Sequence, residues 1–190
     1  AFKVSRIFAA SYQAVSGTGA AAVQELERQV QQIAANEPVT KEVYGKQIAF
    51  NVIPHVDVFL DSGYTKEEMK MENEGKKIMG HPHFKASVTC VRVPVYRAHS
   101  IAISAQFENP VTPEAARAIL AKAPGIEVVD DPQHNIYPTP LDVSGKDSCQ
   151  VGRVRADCAF ENGLSFWVVG DQLLKGAALN AVQIVEKLWK

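Results

Sequence analysis

The chain has 190 residues, 46% of them apolar and 22% charged, and 20 Lys plus Arg against 21 Asp plus Glu leave a net charge of −1. That composition belongs to ordinary globular chains and excludes disordered and fibrous ones; at this length folding buries roughly 70% of the surface the unfolded chain exposes, enough for a sizeable core without disulfides or metal. With no Lys/Arg block there is no electrostatic footprint for nucleic acid or an anionic membrane, and no apolar stretch is long enough to span a bilayer, so neither partner is expected.

Val4, Ile7 and Phe8 predict a strand ending near Ser11. From Ala20 to Ala35 the apolar residues Val23, Leu26, Val30 and Ile33 recur every three or four positions, which predicts a helix stopped at Asn36-Glu37-Pro38. A short apolar run, Ile48 to Ile53, reads as a further strand. Thr65-Lys66-Glu67-Glu68 has the spacing of a capping box and opens a helix to about Met79. Ala86 to Val95 and Ile101 to Phe107 read as strands separated by a break at Arg97 to Ser100. Thr112-Pro113-Glu114 starts a helix that Pro124-Gly125 ends, and Ile126 to Val129 is a short strand.

Asp130 to Asp147, with three prolines, predicts a long ordered loop. Val151 to Phe160 and Leu164 to Val169 flank Asn162-Gly163, the pair that favours a type I′ hairpin. Leu173 to Trp189 is a final helix, apolar over enough of its surface to be largely buried. Hairpins mixed with helices predict an α+β fold, a mixed or antiparallel sheet with helices mainly on one face and no internal boundary over residues 1–190.

Three cysteines, Cys90, Cys149 and Cys158, show neither disulfide nor zinc spacing and fit a reducing compartment. Because the chain opens with Ala in what reads as a strand, a domain of a longer polypeptide is expected. Gly17-Thr18-Gly19-Ala20-Ala21-Ala22 matches GxGxxA between strand and helix, yet five residues separate it from the strand; a helix-start turn, a dinucleotide site and another ligand contact all remain open. Cys90 inside a valine-rich strand reads as a small buried apolar group. Arg92 needs an anion, and His99, seven residues on, shares its face only if the chain bends near Pro94 or Ala98. Glu67 and Lys70 share one helix face at i, i+3, where most such pairs are simply solvated. His55, His81, His83 and His134 lack metal-ligand spacing, so no metal is expected.

Read together, Ala10-Ser11-Tyr12-Gln13-Ala14-Val15-Ser16-Gly17-Thr18-Gly19, Gln47-Ile48-Ala49-Phe50-Asn51-Val52-Ile53-Pro54, Cys90 to Ser100, Tyr137-Pro138-Thr139-Pro140-Leu141-Asp142 and Asp171 to Asn180 occur in an order that closely resembles aspartate-β-semialdehyde dehydrogenase. The likeness covers essentially the whole chain and points to the C-terminal catalytic and dimerisation half, with the sheet architecture of glyceraldehyde-3-phosphate-dehydrogenase-like enzymes. Such enzymes reduce β-aspartyl phosphate to aspartate semialdehyde with NADPH, releasing phosphate, on the way to lysine, threonine and methionine.

The resemblance implies roles residue by residue. Gln13 matches the glutamine that orients the acyl intermediate, His99 the acid/base histidine, and Arg92 the arginine that binds the substrate carboxylate. Glu67 matches the acid that meets the substrate ammonium and Lys70 the lysine that meets phosphate, which overrides the solvated-pair reading. Ser16 and Gly17 match positions beside the nicotinamide end of NADP, and Gln172 stands where the family commonly has Asn. Arg97-Ala98-His99 departs from the more usual Arg-Gly-His, and a Cβ at that bend could shift His99.

The family's nucleophilic cysteine, its nucleotide fingerprint and a second phosphate-binding arginine match nothing in these residues, so the chain alone is expected to be inactive. The implied assembly is a homodimer, with a tetramer as the alternative, in the cytoplasm or a plastid stroma. One rival is N-acetyl-γ-glutamyl-phosphate reductase, whose blocked amine needs no acid such as Glu67. The other is a non-catalytic dimerisation module.

Overall fold

The computed structural model describes residues 2–189. In β1 (Val4–Gln13) Ile7, Ser11 and Gln13 are buried while Phe8 and Tyr12 are exposed, the period-two pattern of a strand with one covered face. α1 (Ala20–Ala34) buries Ala22, Glu25, Leu26 and Gln29 along one stripe. The capping box that opens α2 (Lys66–Met79) is complete: the Glu68 carboxylate accepts the Thr65 N–H at 2.7 Å, and the Thr65 hydroxyl accepts the Glu68 N–H. Left-handed Gly80 closes the helix.

β2 (Lys85–Arg92) and β3 (His99–Phe107) follow, separated by the anticipated break. α3 (Pro113–Leu120) starts as expected, with the Thr112 hydroxyl accepting the Ala115 N–H and Pro113 in the first turn. β4 (Ile126–Val128), a one-turn α4 (Pro140–Val143), β5 (Cys149–Ala156), β6 (Gly163–Gly170) and α5 (Leu179–Leu188) complete the order.

Among the described residues six strands form one sheet in the order β2-β1-β3-β6-β5-β4. The two outer pairs, β1/β2 and β4/β5, are parallel; the three inner pairs are antiparallel. The fold is therefore α+β with a mixed, largely antiparallel sheet. α2 and α3 cover the same face: Met71 packs with Ile7, Phe84 and Ala105, and Ala116 with Val151, Val154 and Leu164. On the other face α4 covers only a corner, where Val143 meets Ala98 and Val169, and Phe8 and Tyr12 stay open. A separate core of Val15, Leu26, Ile48, Ala49 and Ile53 joins α1 to the end of β1.

Register gathers the site. The parallel pairing sets Gln13 opposite Arg92, the antiparallel one sets Tyr12 opposite Ser100, and His99 lies opposite Gly170, so the ends of four strands converge.

Several local expectations give way to longer-range contacts. Ile48 to Ile53 is not a strand: Gln29 Oε1 takes the N–H groups of Ile48 and Ala49 at 2.9 and 3.0 Å, and only Ile53 bridges to β2, at Arg92. The Asn162-Gly163 turn is not type I′, since Asn162 alone has positive φ (52°) while Gly163 already pairs with Gln106. The Asp157 carboxylate, accepting the Ala159 and Phe160 N–H groups, builds a wider turn from 157 to 162. The final helix breaks at Lys175, Gly176 and Ala177, which leave helical φ/ψ, and α5 has no buried residue; Trp189 is 89% exposed rather than covered. No helix among the described residues is long and apolar enough to cross a membrane.

Candidate active site

Beyond the strand ends, residues 93–96 run beside 13–16, with Val93 N–H donating to Gln13 O (3.0 Å), Val15 N–H to Val95 O (2.8 Å) and Ser16 N–H to Tyr96 O (3.1 Å). The chain then turns at Ala98, whose φ of 71° lies in the left-handed region, and this bend brings His99 back over Arg92. The backbone of one residue, Ala14, holds both side chains. Arg92 Nη1 donates to Ala14 O at 2.7 Å, and His99 Nδ1 accepts the Ala14 N–H at 3.0 Å. Gly17 closes the same space: a Cβ there would stand 3.1 Å from Arg92 Nη1 and 3.1 Å from His99 Nε2, so only glycine fits without pushing on the pair.

The electrostatics follow from this packing. With Nδ1 accepting, the neutral imidazole carries its proton on Nε2, facing Gly17. Burial and the adjacent Arg92 guanidinium push the His99 pKa down to about 4. Arg92 is 6% exposed, and its buried Nε has no partner among the described residues. A buried planar cation with an unspent donor is suited to an anion.

The second half of the site comes from the first turn of α2. Glu67 Oε1 accepts from Gln13 Nε2 at 3.2 Å, and Glu67 Oε2 pairs with Lys70 Nζ at 2.7 Å. Partial burial opposes ionisation of Glu67, but the hydrogen bonds from Lys70 and Gln13 outweigh it and hold the carboxyl below its usual range. Lys70 is raised by the same pair. Glu68 ties this turn to the arginine strand, because its Oε1 accepts the Cys90 N–H at 2.9 Å while Oε2 caps the helix. Gln172 spans the far side: Oε1 accepts the Ala98 N–H at 3.1 Å and Nε2 donates to Ser16 Oγ at 2.7 Å.

The depressed His99 pKa makes stability depend on pH. Between pH 6.5 and 4 the unfolded chain takes up a proton at this ring that the folded chain refuses, so the contribution is complete above 6.5 and lost as pH falls to 4. Urea unfolding at pH 7 and pH 4 should therefore show an acid loss that shrinks by roughly 3 kcal/mol when His99 is replaced by Asn. An imidazole NMR titration midpoint near 6.5 would contradict this.

The model of the semialdehyde dehydrogenase dimerisation domain matches residues 1–175. The chain is 49% identical over 188 residues to the aspartate-semialdehyde dehydrogenase of Aquifex aeolicus, covering 98% of this chain and 55% of that protein. It is 48% identical over 186 residues to that of Legionella pneumophila, covering 97% and 54%.

The chain belongs to the semialdehyde dehydrogenase family. The crystal structure of aspartate semialdehyde dehydrogenase II from Vibrio cholerae superposes with a TM-score of 0.95 at 42% identity, over 98% of this chain and 55% of that one. A second structure of that protein, complexed with ASA, gives 0.94. The chain thus spans about half the length of the relatives it matches.

The semialdehyde dehydrogenase residues singled out from sequence fall into one connected network. His99, Arg92 and Gly17 share one space, Gln13 joins Glu67 and Lys70 to the strand ends, and Gln172 joins Ser16 to the His99 bend. Sequence reasoning missed Asp171, fully buried and bonded to Arg97, and the Cys90 contact of Glu68, although both residues lay inside motifs already singled out. It also missed Glu25 and Gln29, whose buried side chains fix residues 40–49 against α1. Cys90 and Cys149 are pushed up by burial, the reverse of an activated thiolate.

Proposed function

We propose that residues 1–190 form the catalytic and dimerisation unit of an NADP-dependent aspartate-semialdehyde dehydrogenase that reduces β-aspartyl phosphate to aspartate semialdehyde and releases phosphate, in the biosynthesis of lysine, threonine and methionine. The observation that carries this reading is the meeting of Arg92 and His99 on the backbone C=O and N–H of one residue, Ala14, with Gly17 leaving room beside both. The Arg92 fork binds the substrate carboxylate through the donors that Ala14 leaves free. Glu67, kept ionised, meets the substrate ammonium; Lys70 meets phosphate; Gln13, already bonded to Glu67, sets the reacting carbonyl between them and His99.

His99 works at Nε2, the ring atom that Ala14 does not hold. A neutral imidazole with its proton there polarises the reacting carbonyl as a donor; it can give that proton to the developing oxyanion, and Nε2 is free to take one up only afterwards. The nucleophile belongs to the other half of the enzyme, in keeping with the raised thiols of Cys90 and Cys149. NADPH supplies the hydride when bound. The residues present suit its reactive end: Ser16 keeps its own O–H free to donate after accepting from Gln172, and Gly17 offers backbone without a side chain.

Dimerisation is supported by the uncovered sheet face. Phe8 and Tyr12 stand exposed there, and the cavity lined by Tyr137, Pro138, Pro140 and Trp167 continues it into the 130–147 segment. A tetramer and a cytoplasmic or plastid location remain further parts of the proposal, argued from the family resemblance.

The test uses the full-length enzyme run in reverse, with aspartate semialdehyde, phosphate and NADP as substrates and NADPH absorbance as the readout. Turnover with this substrate, and little with N-acetylglutamate semialdehyde, is the expected result. Preference for the acetylated substrate would establish the rival reductase, and no turnover with either would favour a purely structural module.

A further inference from the structure

We propose that Asp171, acting with its neighbour Gln172, is a positioning residue that holds the strained Arg97–Ala98 bend and so keeps the His99 ring on Ala14; this rests on the reading of His99 as the acid/base group. Two adjacent residues at the end of β6 grip the two adjacent residues that precede His99. Asp171 Oδ2 accepts from Arg97 Nε at 2.6 Å, and Gln172 Oε1 accepts the Ala98 N–H at 3.1 Å.

Asp171 is anchored in turn. It is fully buried, the same Oδ2 takes the Gly145 N–H at 2.6 Å, and Oδ1 takes the Leu173 N–H at 3.1 Å. Gln172 is anchored through Nε2 to Ser16, on the turn that also carries Gly17.

The bend needs such a grip because Ala98 occupies φ 71° with a side chain. A Cβ in the left-handed region crowds the neighbouring carbonyl, and a residue stays there only where its surroundings over-determine it. Here the surroundings are the Asp171 and Gln172 bonds on the polar side and the contacts of the Ala98 methyl with Val143 and Val169 on the apolar side. With Asp171 neutralised, Arg97 is released and φ at Ala98 relaxes toward negative values, which turns the chain entering β3 and swings the imidazole away from the Ala14 N–H. Glycine at 98 would remove the strain and with it most of the need for a grip.

The experiment measures Asp171→Asn, Arg97→Met, Ala98→Gly and the double variant Asp171→Asn/Ala98→Gly in the full-length enzyme, with the folded dimer fraction and the kcat and KM for aspartate semialdehyde. The expected result is a kcat lowered about 10- to 100-fold by Asp171→Asn and by Arg97→Met, with KM little changed, and at least a tenfold recovery of kcat in the double variant. Arg97→Met reaches the same bond from its more exposed partner, so it decides the matter should Asp171→Asn not fold. Full kcat in Arg97→Met, or an Asp171→Asn defect that folds normally and is not relieved by Ala98→Gly, overturns the proposal. His99→Asn in the same series separates the two ideas: normal turnover there sinks the acid/base reading, whereas slow turnover there with full kcat in Arg97→Met sinks only the positioning role.

Discussion

Replacing His99 with Asn in the full-length enzyme lowers kcat by a factor on the order of 10² to 10⁴ and leaves the dimer intact. The size follows from the placement of the ring. Nδ1 is occupied by the Ala14 N–H, so all exchange with substrate passes through Nε2, which lies in the one space that Arg92 and Gly17 also border. Asparagine can supply a donor to a carbonyl oxygen but cannot take up or release a proton, and no side chain among the described residues is hydrogen-bonded to that nitrogen. The dimer survives because the open sheet face of Phe8 and Tyr12 is on other elements. Steady-state rates and sedimentation on the same preparations check both halves; near-normal turnover would remove His99 from the chemistry.

How the residues of this site come together shows what a sequence can and cannot disclose. The start of α2 was legible because a capping box is a local device, complete within Thr65 to Glu68. The eight candidate site residues were picked out through family motifs, whereas their spacing alone favoured plainer readings. Arg92 and His99 lie seven positions apart, and a straight strand would send them to opposite faces; a bend at Pro94 or Ala98 was the expected remedy, but alanine itself gives no hint that φ there is positive. Asp171 could not be read as a clamp because its partners lie 74 and 26 positions away in the chain.

Polar side chains also rewrote local structure. Gln29 captured the backbone of Ile48 and Ala49 and so prevented the strand their apolar run implied, and Asp157 widened the turn that Asn162-Gly163 would have made tight. The last helix exposes a different limit. An apolar surface on a helix predicts a cover, and periodicity does not tell which element supplies it. Here the break at Gly176 leaves Val182, Val185 and Leu188 exposed.

Arg92→Lys should be the most damaging change that conserves charge, lowering kcat/KM for aspartate semialdehyde by about 10² to 10³, or roughly 3–4 kcal/mol of lost binding in the transition state. Arg92 is placed for two things at once: Nη1 holds Ala14 O at 2.7 Å and borders the space beside His99, while Nε is left unpartnered. A lysine ammonium is a single point and cannot span both tasks. If it turns to Ala14 the substrate carboxylate loses its bidentate partner, and if it turns to substrate the Ala14 backbone, whose N–H also sets His99, loses its anchor. Burial adds to the loss, because an ammonium deprotonates far more readily than a guanidinium in such a place. The change should appear in KM for aspartate semialdehyde more than in KM for phosphate, since Lys70, on α2, is the group assigned to phosphate. An effect confined to phosphate would reverse the two assignments and make Arg92 the anion site for the leaving group.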